Sequence, residues 1–400
     1  MEDLSNNIGV IKKVPFVFPV IVAGLFATYP FVFNRVISLP SIPIIMCVYF
    51  AIFFVMRIAN KVQIPPKLTP LAVILSIGTI ISLLTTLDLE YYKQVMYIWW
   101  GCVMIALIEG IGLKPFLFLY NRLILLIAVL GVLSFFLYVM LGDYSIIEFE
   151  NMDGRAGWLT YFTFTNTKHA GFIRYSGVFD EPGAMASWGM FSLLLNKIYV
   201  KDSKIEKPLI ICLFFTFSIA YIIQISLYYL FFYLKKTKMS TQIASLSIII
   251  LLVSIFIHFI NHDYMVYMWT LGRLGIGTSI DFFKENNRVK MMERAYEIFK
   301  ENPLFGIGLT KFYNGEYAAD NPYETLAKDG IIGTFFLYLP LLKALKYAKQ
   351  QKEILYMIII LVVGYLQRPF HINILHYTMI FLVFVVSYKS AMCNSYSIKS

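Results

Sequence analysis

The stretch "PLIICLFFTFSIAYIIQISLYYLFFYL", residues 208–234, decides the fold. As one α-helix rising ~1.5 Å per residue it would measure ~40 Å, longer than the ~30 Å hydrocarbon core of a bilayer yet short for two ordinary spans. The flanking charges bear on the choice. Lys201, Lys204 and Lys207 precede the run, and Lys235, Lys236 and Lys238 follow it. Short loops rich in Lys and Arg stay cytoplasmic, so a single crossing would strand one of the two clusters outside. Two crossings by short or broken helices, turning near Ser218 to Tyr221, keep both inside, and the bared backbone at such a turn is tolerable where it faces protein or water. The alternative is one tilted helix and an exception to the charge rule.

Working outward, the chain is 59% hydrophobic and 14% charged with a mean hydropathy of +0.70, a composition that excludes a soluble globular protein. Apolar runs recur near 14–34, 41–57, 68–87, 92–112, 122–141, 183–199, 241–260, 330–347, 354–368 and 372–389 besides the opening stretch. Counting that stretch as two crossings, the reading is an all-α integral membrane protein of about twelve transmembrane helices, a single polytopic domain over 1–400 with both termini cytoplasmic. The first run follows Lys12 and Lys13 and is read as a retained signal anchor. The net charge of +10 sits in short inter-span segments and reports orientation in the bilayer, not a nucleic-acid partner. Cys47, Cys102, Cys212 and Cys393 are scattered, with neither a disulfide framework nor a zinc spacing, and His258 with His262 lacks a third ligand, so no metal and no cofactor is expected.

This parity leaves two large polar segments outside, 142–182 and 261–329, while the inner loops are short. The first ends in "RYSGVFDEPGA", 174–184. Pro182 favours a helix start, and Asp180 and Glu181 lie at the positive end of that helix, where they could serve as caps. An arginine at the edge of a span is costly, so Arg174 needs a partner, either Glu181 or a phosphate. The second segment carries an amphipathic helix in "KENNRVKMMERAYEIFKENP", with Val289, Met292, Tyr296 and Phe299 on the face expected to pack and Arg288, Glu293 and Arg294 among its charged residues. It continues into "DNPYETLAKDGIIG", 320–333, where Asp320 precedes a helix start. A short third segment, "LQRPFHIN", holds Arg368.

The order of these pieces resembles the superfamily of O-antigen polymerases and O-antigen ligases, especially bacterial repeat-unit polymerases. The matching stretches are "RYSGVFDEPGA", "LFFTFSIAYII", "NNRVKMMERAYEIFKENPLFGIGLTKF", "DNPYETLAKDGIIGTFFLYLPLL" and "QRPFH". The resemblance implies a GT-C-like architecture in the bacterial inner membrane. It implies a glycosyltransferase that moves a glycan from a polyprenyl diphosphate, on the outer face, to a hydroxyl of a second lipid-linked repeat unit or, in ligases, of lipid A core. Membrane lipid surrounds such an enzyme, and a chain-length regulator is a candidate partner. Many family members carry histidine where this chain has Asp320.

The residues fit that chemistry independently. Guanidinium groups bind phosphate oxygens through forked, charged hydrogen bonds, so Arg174, Arg288 and Arg368 are the expected substrate-binding residues. An acceptor hydroxyl needs a proton acceptor, for which Asp320 is the first candidate and Glu181 the second. A flippase for the same lipid-linked saccharide is the alternative from another class; it should show charged residues in mid-span and repeat symmetry, and this chain shows neither.

Overall fold

In a computed structural model the structure describes residues 17–27, 31–37, 39–150, 155–169, 172–234, 287–315, 321–367 and 374–397. Helices follow the apolar runs: α1 (Val17–Phe26), α2 (Ile42–Ile58), α3 (Leu68–Thr86), α4 (Tyr91–Ile111) and α5 (Leu113–Leu141), then α6 (Pro182–Leu195), which continues through a π-helical turn at Asn196–Val200. After these come α7 (Ser203–Phe214), α8 (Ile219–Phe232), α9 (Asn287–Glu301), α10 (Leu309–Asn314), α11 (Glu324–Leu345), α12 (Lys352–Gln367) and α13 (Ile374–Ser397). Among the described residues, five helical segments are long and apolar enough to cross a membrane: Leu68–Thr86, Tyr91–Ile111, Leu113–Leu141, Glu324–Lys349 and Leu375–Met392. Val17–Phe26, Ile42–Ile58 and Ile219–Phe232 are apolar but shorter. The expected run at 241–260 lies outside the described residues.

One buried core joins α1–α8 and α11–α13, while α9 and α10 pack in a smaller cluster on α11. α4 lies at its centre, where Trp100, Met104, Ile105 and Ile108 are wholly buried, with Phe381 and Val383 of α13 buried in the same core. α4 and α13 are mostly buried, and in a bilayer the open faces of α3, α5 and α11 would meet lipid, so none of these spans needs a polar stripe and all read as evenly apolar.

The stretch 208–234 is not one tilted helix. It is broken over 215–218, where Phe217 takes a left-handed φ of 49°, and its two limbs α7 and α8 run antiparallel. Glu206, near the start of α7, accepts from Tyr228 of α8 at 2.5 Å and from Tyr233 just beyond it, and Tyr221 Oη donates to Ile210 O at 2.8 Å. The turn expected near Ser218 to Tyr221 thus falls at the N-terminal side of that window.

Contacts sort the chain into two ends. At one end Tyr91 meets Asp329, Asp88 meets Thr310, and Phe31 pairs with Phe179 ahead of α6. At the other, Lys389 pairs with Glu109, Ser390 bonds Ile198 O and Gln351, Arg122 faces Asp202, and Lys67 lies over the Tyr388 ring. The first end gathers segments expected outside and the second gathers those expected inside. The hairpin reaches from the second end, at Lys197 and Glu206, to the first, where its tip meets residues 174–175.

The all-α expectation needs one correction. β1 (Ser145–Glu150), β2 (Ala156–Thr160) and β3 (Thr163–Thr165) form an antiparallel sheet, followed by a two-residue pair, β4 (Lys168–His169) and β5 (Phe172–Ile173). Ile147, Leu159 and Phe164 stand in one cross-strand row, and Glu148, Trp158 and Thr165 in the next. β-branched and aromatic residues in short alternating runs favour such pairing over helix.

Candidate functional site

The first half of the candidate site forms where this β-segment runs into α6. Glu181 is the N-cap of α6, with extended backbone (φ −153°, ψ 158°) and Pro182 at the first helical position. Its side chain makes no capping hydrogen bond, so of the alternatives open to it the cap is not the one taken. Instead Arg155 Nη2 lies 3.3 Å from Glu181 Oε2, pairing a half-exposed guanidinium with a carboxylate that is 9% exposed. Arg155 was not among the expected residues. Its neighbourhood in the chain, "ENMDGRAGW", offers no motif, and only the fold of β2 brings it to α6.

Arg174 has a different environment. It is buried, and its Nε and Nη2 donate to the backbone oxygens of Thr216 and Phe217 at 3.0 and 3.1 Å. Tyr175 Oη donates to Cys212 O at 2.7 Å. The last carbonyls of a helix have no partner within it, and a break at membrane depth bares more of them. Arg174, Tyr175 and Tyr221 therefore supply donors along the end of α7, and a cation at that end also complements the helix dipole. The arginine expected to seek a phosphate thus holds the hairpin tip with two of its five N–H groups.

The second half of the site is knotted around the start of α11. Asn321 is buried; its Oδ1 accepts from Tyr323 N at 2.9 Å and its backbone oxygen from Glu324 N at 3.2 Å, which sets the turn into the helix. One turn on, Lys328 is wholly buried, with Nζ 2.7 Å from Glu324 Oε1 and 3.0 Å from Tyr313 Oη, and it lies over the Phe312 and Tyr313 rings. A lysine is buried this completely only when paired. The i, i+4 spacing of Glu324 and Lys328 was the available sequence signal.

The turn 87–90 ties this knot to the helix bundle. Asp88 accepts from Thr310 N at 2.6 Å, Thr310 Oγ1 at 2.7 Å and Glu90 N at 3.0 Å. Burial alone would push the Asp88 carboxyl up, but these donors outweigh it and hold it below the usual carboxylate range. Gly330, at φ 62°, passes so close to Leu304 that a Cβ would sit 2.3 Å from its carbonyl carbon, so the α11 kink admits only glycine.

α9 packs on α11 with a face that overlaps the expected one at the partly buried Met292 and Phe299 but centres on Ala295 in place of Tyr296. Ala295 is wholly buried against Phe312 and Ala327, with Ile298 and Tyr323 beside them, whereas Tyr296 is 41% exposed and meets the edge of this cluster through Tyr323. Lys290, Glu293, Arg294 and Glu297 are exposed. Of the remaining expected residues, Arg288 lies on α9 with its side chain outside the described atoms, and Asp320 and Arg368 lie outside the described residues, as do His258 and His262. Among the described residues no cluster of His, Cys, Asp and Glu could hold a metal.

Compared with known proteins, residues 208–338 match a protein-family model described as O-antigen ligase. No curated protein matches the chain. The matched region runs from the α7–α8 hairpin through α9 and the knot into α11, and it contains Arg288 and Asp320; Arg155, Arg174, Glu181 and Arg368 fall outside it. A mostly helical chain with several membrane-length spans carries this match across its hairpin and its second polar segment, and over residues 208–338 the match supports the O-antigen ligase and polymerase superfamily.

Proposed function

We propose that the protein polymerises polyprenyl-diphosphate-linked oligosaccharide repeat units on the outer face of the bacterial inner membrane, with both termini cytoplasmic. The observation that carries this reading is the O-antigen ligase match, because it spans both the hairpin and the segment holding Arg288 and Asp320. In the reaction the bond between the anomeric carbon and the diphosphate oxygen breaks, a bond to the acceptor oxygen forms, and the acceptor proton passes to a carboxylate. Guanidinium groups stabilise the negative charge gathering on the departing diphosphate.

Within this reading Arg288 and Arg368 bind the diphosphate together with Arg155, whose half-exposed side chain is accessible at the start of α6. Arg174 contributes from beneath by fixing the hairpin tip. Asp320, next to the buried Asn321 turn, is the base, and Glu181 orients Arg155 or replaces Asp320 in that role. The family match favours no transporter, so the flippase alternative has no support.

The test is glycan transfer by purified protein in liposomes supplied with polyprenyl-diphosphate-linked oligosaccharide. Wild type should yield a ladder of longer lipid-linked glycans, and Asp320→Asn should abolish it while retaining the fold. Transfer confined to a lipid A core acceptor would make the protein a ligase. Movement of the lipid-linked saccharide across the membrane without glycan growth would overturn the enzyme reading.

A further inference from the structure

A small cavity lies inside the helix bundle, below the knot and away from Arg155, Arg174 and Glu181. Its lining includes Thr79 and Ser82 of α3, Gln94 of α4, Asp329 and Gly333 of α11, and Tyr377 of α13. Asp329 is 4% exposed and Gln94 5% exposed. Oxygen acceptors line it from three helices, α3, α4 and α11, with the Tyr377 hydroxyl beside them. Thr79 Oγ1 donates up its own helix to Leu75 O at 3.0 Å and Ser82 Oγ to Gly78 O at 3.3 Å, so the lone pairs of both hydroxyls remain available. The Gln94 side chain makes no hydrogen bond among the described residues, and its amide oxygen is a further acceptor at the cavity wall.

The charge of Asp329 sharpens the case. Its Oδ1 accepts from Tyr91 Oη at 2.8 Å, but among the described residues it has no salt bridge, because the adjacent Lys328 turns its ammonium group to Glu324. Lys328 therefore acts on Asp329 only at a distance; a buried carboxylate with no directly paired cation is disfavoured, and within a membrane domain such a group marks an ion or proton site. The acidic members of the neighbouring knot do not help, since Glu324 is matched by Lys328 and Asp88 adds negative charge. The space exists because residue 333 is glycine: a Cβ there would lie 2.7 Å from Asp329 Cβ and 3.2 Å from Ser82 Oγ.

From this geometry we infer that the cavity binds one small monovalent cation of sodium's size, held by the Asp329 carboxylate, the hydroxyl oxygens of Thr79 and Ser82 and the amide oxygen of Gln94. Hard cations take oxygen ligands of this kind, and one carboxylate balances one positive charge. Bound there, the ion joins α3, α4 and α11 directly below the start of α11. This site is independent of the glycosyl-transfer reading, and its test uses no glycan.

The experiment is binding of radioactive sodium to the full-length protein in detergent, paired with thermal unfolding in NaCl, KCl and choline chloride at constant ionic strength and pH. Saturable uptake near one ion per chain is expected, with an unfolding temperature that rises to a plateau with sodium but not with choline. Asp329→Asn and Gly333→Ala should each weaken sodium binding about tenfold or more, a loss of ~1.4 kcal/mol of binding free energy. Gly333→Ala keeps every proposed ligand, so it tests the site even if Asp329→Asn fails to fold. Absence of saturable uptake with equal unfolding temperatures in all three salts would mean that the cavity holds a structural water only, and would overturn the inference. So would a stability that follows pH but not sodium, which would assign a proton to Asp329, or sodium binding unchanged in both variants.

Discussion

The two halves of the candidate site handle charge in opposite ways. Where α6 begins, charge is partly open, with Arg155 half-exposed beside Glu181, while the buried Arg174 donates to two backbone carbonyls of the hairpin tip. Where α11 begins, charge is sealed in, with Lys328 wholly buried between Glu324 and Tyr313 and Asp88 sequestered by Thr310. A half-exposed ion pair is worth little to stability and is easily rearranged by an incoming anion, whereas a buried pair is costly to break and holds its geometry. The difference suggests a division of labour, with a rigid platform around Asn321 and an adaptable rim around Arg155.

The largest expected effect comes from the sealed side. Lys328→Met leaves Glu324 buried without its partner and should cost ~3–5 kcal/mol of stability, read as a lowered unfolding temperature in detergent; Lys328→Met combined with Glu324→Gln should recover most of it. If the single variant unfolds like wild type, the contrast between the halves collapses. Arg174→Met should be next, at ~2–3 kcal/mol, because it strips charged donors from two carbonyls of the hairpin tip. Faster protease cleavage near 215–218 would report the loosened tip.

Asp88 offers a pH test of the same platform. Its carboxyl is held below the usual range when folded, so its contribution is fully present above the unfolded value near ~3.9 and is lost as pH falls through the folded value. Wild type should therefore lose stability relative to Asp88→Asn only as the medium is acidified below about pH 4. A difference that instead vanishes near neutrality would mean that the Thr310 donors do not hold the anion. The smallest change in stability belongs to Arg155→Gln, within ~1 kcal/mol. Its effect should appear as a raised KM for the lipid-linked donor at nearly unchanged unfolding temperature, which is the signature that separates rim from platform.

Much of this was legible in the residues. Apolar runs marked the helices, and the length and flanking lysines of 208–234 announced a broken pair because bilayer thickness and loop charge act locally on the chain. The strands at 145–173 were hidden: in "SIIEFE" and "AGWLT" the alternation is short and mixed with charges, and pairing depends on a partner strand that no local pattern reveals. Arg174 could be flagged as needing a partner, but its partners are carbonyls some forty residues away, and every residue has a carbonyl. Likewise the packing face of α9 turned on the small Ala295, which a search for large apolar residues passes over.

The α7–α8 hairpin has a consequence for how the chain enters the membrane. Its limbs, Ser203–Phe214 and Ile219–Phe232, would measure ~18 and ~21 Å, so neither can cross the hydrocarbon as an independent segment. The donors that satisfy its tip come from residues 174–175, and its open end is held by Lys197 and Glu206. Both clasps lie N-terminal to the tip and are synthesised before it. The pair is therefore expected to partition into the bilayer as one unit, against a scaffold of earlier helices already in place, and insertion of this part of the chain becomes a matter of order during synthesis more than of hydrophobicity.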